Sequence, residues 1–384
     1  MSSASAVSWF HTPVGYQRAP NAPSPNKKIV QKWLIENKNL NFFEKNSYGT
    51  YIGALITLLG IISTIFGIKK DNPFFKWTGI ILGLSGAVTT VIGKLCGCEY
   101  DGLEKLRNKA IIQPNSNIEK TPKELGIPHE EISIDTPESV LKGYYFPNPI
   151  ETKKTVIILG GSRYSLSKSY EKVKMIQSEV PVNIVMVDYR GFGNSTSKDG
   201  TVTFQGLIND AREIYDYIVR EKKLTADEIN IFGASLGGAV SIELANQEGV
   251  DINTLVVQSS FTKTKDVGES LVGKVTSSKL VQNLGSSLIE TDFDSEVKIK
   301  TVRAKNIIVC HGKEDEFIPH TQGERLFNAI TLADANKCYV ILDGSKHDDF
   351  MDYYFSDKKN GLILFEAFRT FVDNSTLPTT ARAA

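Results

Sequence analysis

Gly233-Ala234-Ser235-Leu236-Gly237 puts a serine inside a G-x-S-x-G pattern, directly after the apolar run Ile229–Phe232 and before Gly238–Ala245, a run with helical periodicity. A strand that turns sharply into a helix projects the hydroxyl at the turn into solvent, and glycines on either side let the turn close. Such a serine attacks acyl groups only if a base takes its proton and a third group holds that base in the right tautomer.

The chain holds five histidines. His11 and His129 precede most of the strand patterns, His311 ends a strand-like run, and His320 follows Pro319. His347 follows the apolar run Cys338–Leu342 through Asp343-Gly344-Ser345-Lys346, which puts it at the C-terminal edge of a sheet, where a base for Ser235 is expected. The acid that orients it is sought after Asn306–Cys310, in His311-Gly-Lys-Glu-Asp-Glu-Phe-Ile-Pro319, where Glu314 and Asp315 are both candidates. A tetrahedral intermediate also needs hydrogen-bond donors for its oxyanion. The backbone N–H of Leu236 is one expected donor, and the loop after Thr155–Leu159 is expected to supply the other from Ser162 or, second, Gly161.

These residues need a sheet edge. Glu131–Asp135 and Val140–Phe146 read as a pair of strands separated by turn residues around Pro137. Short β-branched runs follow at Thr155–Leu159, Asn183–Val187, Glu228–Phe232, Thr254–Val257, Asn306–Cys310 and Cys338–Leu342, most of them leading into helical periodicity. Strand and helix in alternation imply an α/β fold with a mainly parallel sheet covered on both faces. No internal repeat is visible.

The stretch Val185-Met-Val-Asp188-Tyr189-Arg190-Gly191-Phe192-Gly193-Asn-Ser195 resembles the strand and turn before the serine elbow of α/β-hydrolase-domain enzymes. With Gly233–Gly237, His311-Gly312, Asp315-x-x-x-Pro319 and Gly344-Ser-Lys-His347-Asp348, the chain is similar to that serine hydrolase family from about Ile132 to Val372, and most similar to its membrane-associated members with a D-Y-R-G-F-G turn. The resemblance implies the α/β-hydrolase fold and the chain order serine, acid, histidine. It also implies Asp315 rather than Glu314 as the acid, because members place the aspartate four residues after the H-G histidine and four before the proline. Gly160 stands where the family usually has a histidine at the start of the oxyanion loop, and residues 262–304, where a lid is expected, match no known pattern.

Before the hydrolase-like part, Tyr51–Ile68 and Trp77–Gly93 carry no charge, and each approaches the roughly 20 residues that cross a bilayer. A short polar tip with Pro73 joins them, so a transmembrane helical hairpin is expected over 49–98. It is similar to the bilobed hydrophobic segment of chlamydial inclusion-membrane proteins. Lys32, Lys38 and Lys45 before it and Lys94, Lys105, Arg107 and Lys109 after it outnumber Lys69, Lys70 and Lys76 in the tip, which favours cytoplasmic flanks. The expected organisation is a disordered or amphipathic tail over 1–48, the hairpin, a linker over 99–127, a hydrolase domain over 128–375 and a disordered tail over 376–384.

Lysine plus arginine number 44 and aspartate plus glutamate 44, so there is no basic field of the kind that attracts nucleic acid. Four scattered cysteines make no disulfide framework, and the Cys96-x-Cys98 pair has no second pair to complete a zinc site. No cofactor or metal is expected. The expected partners are an acyl ester or thioester substrate and a lipid bilayer. A serine peptidase, or a membrane interaction protein that uses the fold as a scaffold, are the competing readings.

Overall fold

The computed structural model describes residues 111–163, 165–268, 293–347 and 358–373, with scattered positions between 57 and 80. The expected β-branched runs become strands β1 (Glu130–Asp135), β2 (Ser139–Phe146), β3 (Thr155–Leu159), β4 (Asn183–Val187), β6 (Ile229–Ala234), β7 (Ile252–Gln258), β8 (Ala304–Gly312) and β9 (Lys337–Leu342). A two-residue strand, β5 (Thr196–Ser197), was not expected from sequence; it pairs with β2 beside the D-Y-R-G-F-G turn. Between the strands lie helices α1 (Val173–Glu179), α2 (Phe204–Lys222), α3 (Leu236–Ala245), α4 (Ser295–Lys298), α5 (Thr321–Ala329) and α6 (Lys358–Val372).

The spatial order of the sheet is β1-β2-β4-β3-β6-β7-β8-β9, with β5 on the side of β2. β2 runs antiparallel to β1 and β4, while every pair from β4 to β9 is parallel. Side chains alternate between faces along a strand, so each buried strand feeds two cores. Ile157 and Leu159 of β3 join Ile307 and Val309 of β8 in the core under α2 and α3. Val156 of β3 and Ile308 of β8 join Leu364, Phe368 and Phe371 of α6 in the core on the other face. Only a sheet sandwiched between helices buries such runs on both sides, and this is the α/β-hydrolase fold.

Two compact units divide the chain, Met1–Leu103 and Glu104–Ala384. In the second, Ile112 is fully buried in the core beneath α2, so the C-terminal part of the segment expected as a linker over 99–127 packs onto the domain. In the first, most of the hairpin expected over 49–98 lies outside the described residues. Among the described residues, no helix is long and apolar enough to cross a membrane. Residues 269–292 of the expected lid also lie outside the described residues; its two stems are held by an ion pair of 3.0 Å between Lys263 and Asp294 and by the N–H of Phe293 donating to Thr264 Oγ1 at 3.1 Å.

Candidate active site

Ser235 sits between β6 and α3 with φ 52° and ψ −116°, a backbone conformation an L-residue rarely adopts. Such a residue costs on the order of 1–3 kcal/mol and persists only where its surroundings over-determine it. They do. Its N–H donates to Gln258 O at 2.8 Å, and its carbonyl accepts from Ser260 Oγ at 2.8 Å and from the N–H of Gly238 at 3.0 Å. The glycines are steric necessities: a Cβ on Gly233 would lie 2.4 Å from Gly237 O, and one on Gly237 would lie 2.1 Å from Leu159 O. A third, Gly238, is required as well, since its Cβ would meet Ser260 Cβ at 2.6 Å.

β8 and β9 deliver the other two groups. His347 Nε2 lies 3.0 Å from Ser235 Oγ, and its Nδ1 lies 2.7 Å from Asp315 Oδ2. An ionised carboxylate only accepts, so Nδ1 carries the ring proton and Nε2 is left to accept from the serine hydroxyl. Asp315 is held on its other oxygen by the N–H groups of Phe317 and Ile318, both donating at 2.8 Å. Burial alone would raise this carboxyl, but hydrogen bonds from His311 and His347, together with the Ile318 N–H, outweigh it and hold Asp315 well below the usual carboxylate range. Glu314, the neighbouring candidate, is exposed. His320 sits beside Lys313 O at 3.2 Å and Glu324 at 3.8 Å, and His129 sits beside Ile127 O. His11 lies outside the described residues.

One contributor was missed from sequence. His311, fully buried on β8, places Nε2 2.9 Å from Ile318 O and 3.3 Å from Asp315 Oδ2, both acceptors, so this nitrogen carries the proton and backs the carboxylate from behind. Gly323 of α5 makes room for it, since a Cβ there would come within 2.6 Å of its Nδ1. The H-G pair therefore does two jobs, because Gly312 also lets the loop carrying His347 pass: its Cβ would lie 2.4 Å from Ser345 O. An unpatterned pair of sequence positions could have hinted at this only through the glycines.

Of the residues expected to bind an oxyanion, Leu236 is the first residue of α3 and so offers one of the N–H groups a helix start leaves without an intrahelical partner. Gly161 packs directly on the serine, a Cβ there lying 3.3 Å from Ser235 Cβ, and Ser162 lines the same cavity. That loop is strapped from outside. Asn115 Nδ2 donates to Arg163 O at 2.8 Å, Ser165 Oγ donates to Asn117 O at 2.8 Å, and the N–H of Glu119 donates to Ser167 Oγ at 3.3 Å. From inside, the Leu166 N–H donates to Asp188 Oδ1 at 2.7 Å. Burial pushes the Asp188 carboxyl up to about 6, against the lowering effect of that N–H.

Ser235 and His347 open onto a cavity of about 520 Å³ whose wall is mostly apolar, with Val156, Ile158, Met186, Phe232, Leu364 and Phe368 among its lining. Ile158 and Phe232 face each other in register on the two central strands, positions that are normally sealed in a parallel sheet. Both are only half-buried.

Residues 151–303 match the family model described as serine aminopeptidase, S33. The chain is 24% identical to Protein bem46 of Schizosaccharomyces pombe over 60% of this chain and 74% of that one. It is 23% identical to the α/β-hydrolase domain-containing protein WAV2 of Arabidopsis thaliana over 60% of this chain and 75% of that one. Among solved structures, the esterase Pf2001 of Pyrococcus furiosus superposes with a TM-score of 0.53 and 19% identity, covering 68% of this chain and 98% of the esterase. None of these supports the similarity of the hairpin to chlamydial inclusion-membrane proteins. By its strand order and by the superposition on the esterase, the domain has the α/β-hydrolase fold, and over residues 151–303 and in these relatives the chain is similar to α/β-hydrolases.

Proposed function

We propose that the chain is a serine hydrolase that cleaves a carboxylic ester or thioester of an apolar acyl chain through an acyl-enzyme on Ser235. The observation that carries the reading is the unbroken hydrogen-bond chain from Ser235 Oγ through His347 to Asp315, opening on an apolar cavity. Ser235 Oγ attacks the carbonyl carbon while its proton passes to His347 Nε2, and Asp315 stabilises the imidazolium. The negative charge that develops on the carbonyl oxygen is received by the Leu236 N–H and a donor of the Gly161–Ser162 loop. His347 then gives its proton to the departing oxygen or sulfur. A water molecule, deprotonated by the same nitrogen, attacks the acyl carbon, and the proton passes from His347 Nε2 to Ser235 Oγ as the acyl–oxygen bond breaks, releasing the acid and restoring the serine hydroxyl.

Aminopeptidase chemistry would need a carboxylate at the mouth to hold the substrate's ammonium. Among the described residues lining the cavity, the one acid is Glu119, and it is instead paired with Lys168 at 3.0 Å. The segments 51–68 and 77–93 complete the proposal as a membrane anchor, with the hydrolase domain on the cytoplasmic side; their length and lack of charge, and the lysines flanking them, are what favour it.

A fluorophosphonate probe on the full-length chain tests the central claim. Wild type is expected to be labelled and Ser235→Ala not. Equal labelling of the two, or esterase activity retained by Ser235→Ala, would reduce the fold to a scaffold.

A further inference from the structure

Arg163 is exposed on the wall of the cavity, and its guanidinium carbon stands 5.2 Å from the centre of the Phe317 ring. Phe317 in turn packs on the His347 imidazole, ring centres 5.1 Å apart. The backbone that carries the guanidinium is held in place. Arg163 has φ 75°, a conformation that strains any residue with a Cβ, and its carbonyl is tied down by Asn115. Among the described residues, no carboxylate pairs with the guanidinium, although the surface supplies acidic partners for Arg212, Arg303 and Arg325.

The side of the site on which it stands follows from the chemistry. His347 protonates the leaving group, so the leaving group lies against the imidazole. The acyl chain has the apolar cavity behind Ser235. A cation one ring away from His347 therefore meets what is attached to the departing oxygen or sulfur, a few bonds beyond the bond that breaks.

Resting on the esterase reading, we infer that the substrate's leaving group carries a phosphate, received by Arg163, while its acyl chain fills the cavity lined by Ile158 and Phe232. A planar guanidinium forks onto phosphate oxygens with two parallel hydrogen bonds, and a phosphate near neutral pH carries more charge than a carboxylate, which suits an exposed site where a single ion pair is weak. Acyl glycerol phosphates and acyl-coenzyme A thioesters both have this chemistry.

The test is a matched substrate set on the full-length chain: a monoacylglycerol, the corresponding acyl glycerol phosphate and the acyl-coenzyme A, all with one acyl chain short enough to stay monomeric. Wild type is expected to favour at least one phosphate-bearing substrate over the neutral ester by about tenfold in kcat/KM. That ratio is expected to fall towards one in Arg163→Gly and below one in Arg163→Glu, chiefly through KM. Glycine adopts φ 75° without strain, so Arg163→Gly keeps the backbone and its melting midpoint checks the fold. A preference confined to the glycerol phosphate identifies a lipid headgroup, and one confined to the thioester identifies the nucleotide-bearing carrier; either upholds the inference. A wild-type ratio near one on a hydrolysed neutral ester, or a ratio unchanged in Arg163→Gly, overturns it and leaves the esterase reading standing. Failure of the wild type to hydrolyse any of the three, with no probe labelling, sinks the esterase reading itself.

Discussion

Asp315 concentrates the chemistry of the site at the scale of single residues. Its carboxylate accepts from two backbone N–H groups, from His347 and, more loosely, from His311. Asp315→Asn keeps the shape but lets the histidine take the wrong tautomer, so kcat is expected to fall by about three to four orders of magnitude. Glu314→Gln, at an exposed position, is expected to be mild. Steady-state kinetics on both variants checks the pair, and the reverse result would exchange their roles. Stability carries a second signature. The folded-state carboxyl lies below its unfolded value, so its contribution is present above about pH 4 and is lost as pH falls towards the folded value. His311→Ala removes one of the bonds that lower it and leaves a void in the core; the expected cost is about 2–4 kcal/mol at neutral pH. That loss is expected to shrink in acid, because protonating Asp315 removes the bond in wild type too, and denaturant titrations across pH measure it. Ser235, His347 and Asp315, which the structure brings within hydrogen-bond reach of one another, could be picked out in the sequence because each follows a strand pattern within a few positions. His311 could not, because its role arises from a buried strand side chain reaching sideways behind Asp315, which no spacing encodes.

Between strands, the elements explain the motif that carried the resemblance. Asp188-Tyr189-Arg190-Gly191-Phe192-Gly193 is a clamp. Arg190 binds the fully buried Asp210 of α2 through its N–H and guanidinium, and Ser139 Oγ donates to the same carboxylate at 3.0 Å. Asp188 holds Leu166, at the end of the loop that carries Gly161 and Ser162. Gly193 is forced, since a Cβ would sit 2.2 Å from Asp188 Oδ2 at φ +50°. The pattern thus fixes the loop that carries Gly161 and Ser162 through β4. Asp188, its carboxyl raised to about 6 by burial, holds its proton more tightly in the folded chain, so it lowers stability as pH rises from about 4 to 6. Asp188→Asn keeps an acceptor for Leu166 and is expected to be more stable than wild type above pH 6, by up to about 3 kcal/mol, with the difference vanishing below pH 4. Melting midpoints across that range decide it; a difference independent of pH would refute it. On the opposite wall, Ile158→Phe narrows the cavity and is expected to shift the preferred acyl chain to shorter lengths. Each CH₂ excluded forfeits about 0.8 kcal/mol. The chain-length profile of kcat/KM reads this out.

For the whole molecule, sequence patterns located the sheet well and its first boundary less well. Strands announce themselves through β-branched runs, whereas residues 112–119 have no periodicity and are bound by polar contacts to a loop 48 positions away in the chain. A hydrolase domain cut at 128 would lose Ile112 from the core, on the order of 1.5–3 kcal/mol, together with the strap on the loop that follows Gly161 and Ser162. A chain begun at Glu104, where the compact unit starts, keeps both. Deleting Tyr51–Gly93 removes nothing from that unit, so the shortened protein is expected to keep full esterase activity and to leave the membrane fraction. The expectation rests on two charge-free segments joined by a short polar tip, which are costly to leave in water and long enough to span. Anchoring of this kind resists high salt and alkaline carbonate, whereas a contact through the lysines of residues 27–48 would be screened. Protease added from the cytoplasmic side of intact membranes is expected to cut both the N-terminal tail and the hydrolase domain. Full-length protein that fractionates as soluble would remove the anchor, and a hydrolase domain protected from that protease would reverse its orientation while leaving the chemistry at Ser235 untouched.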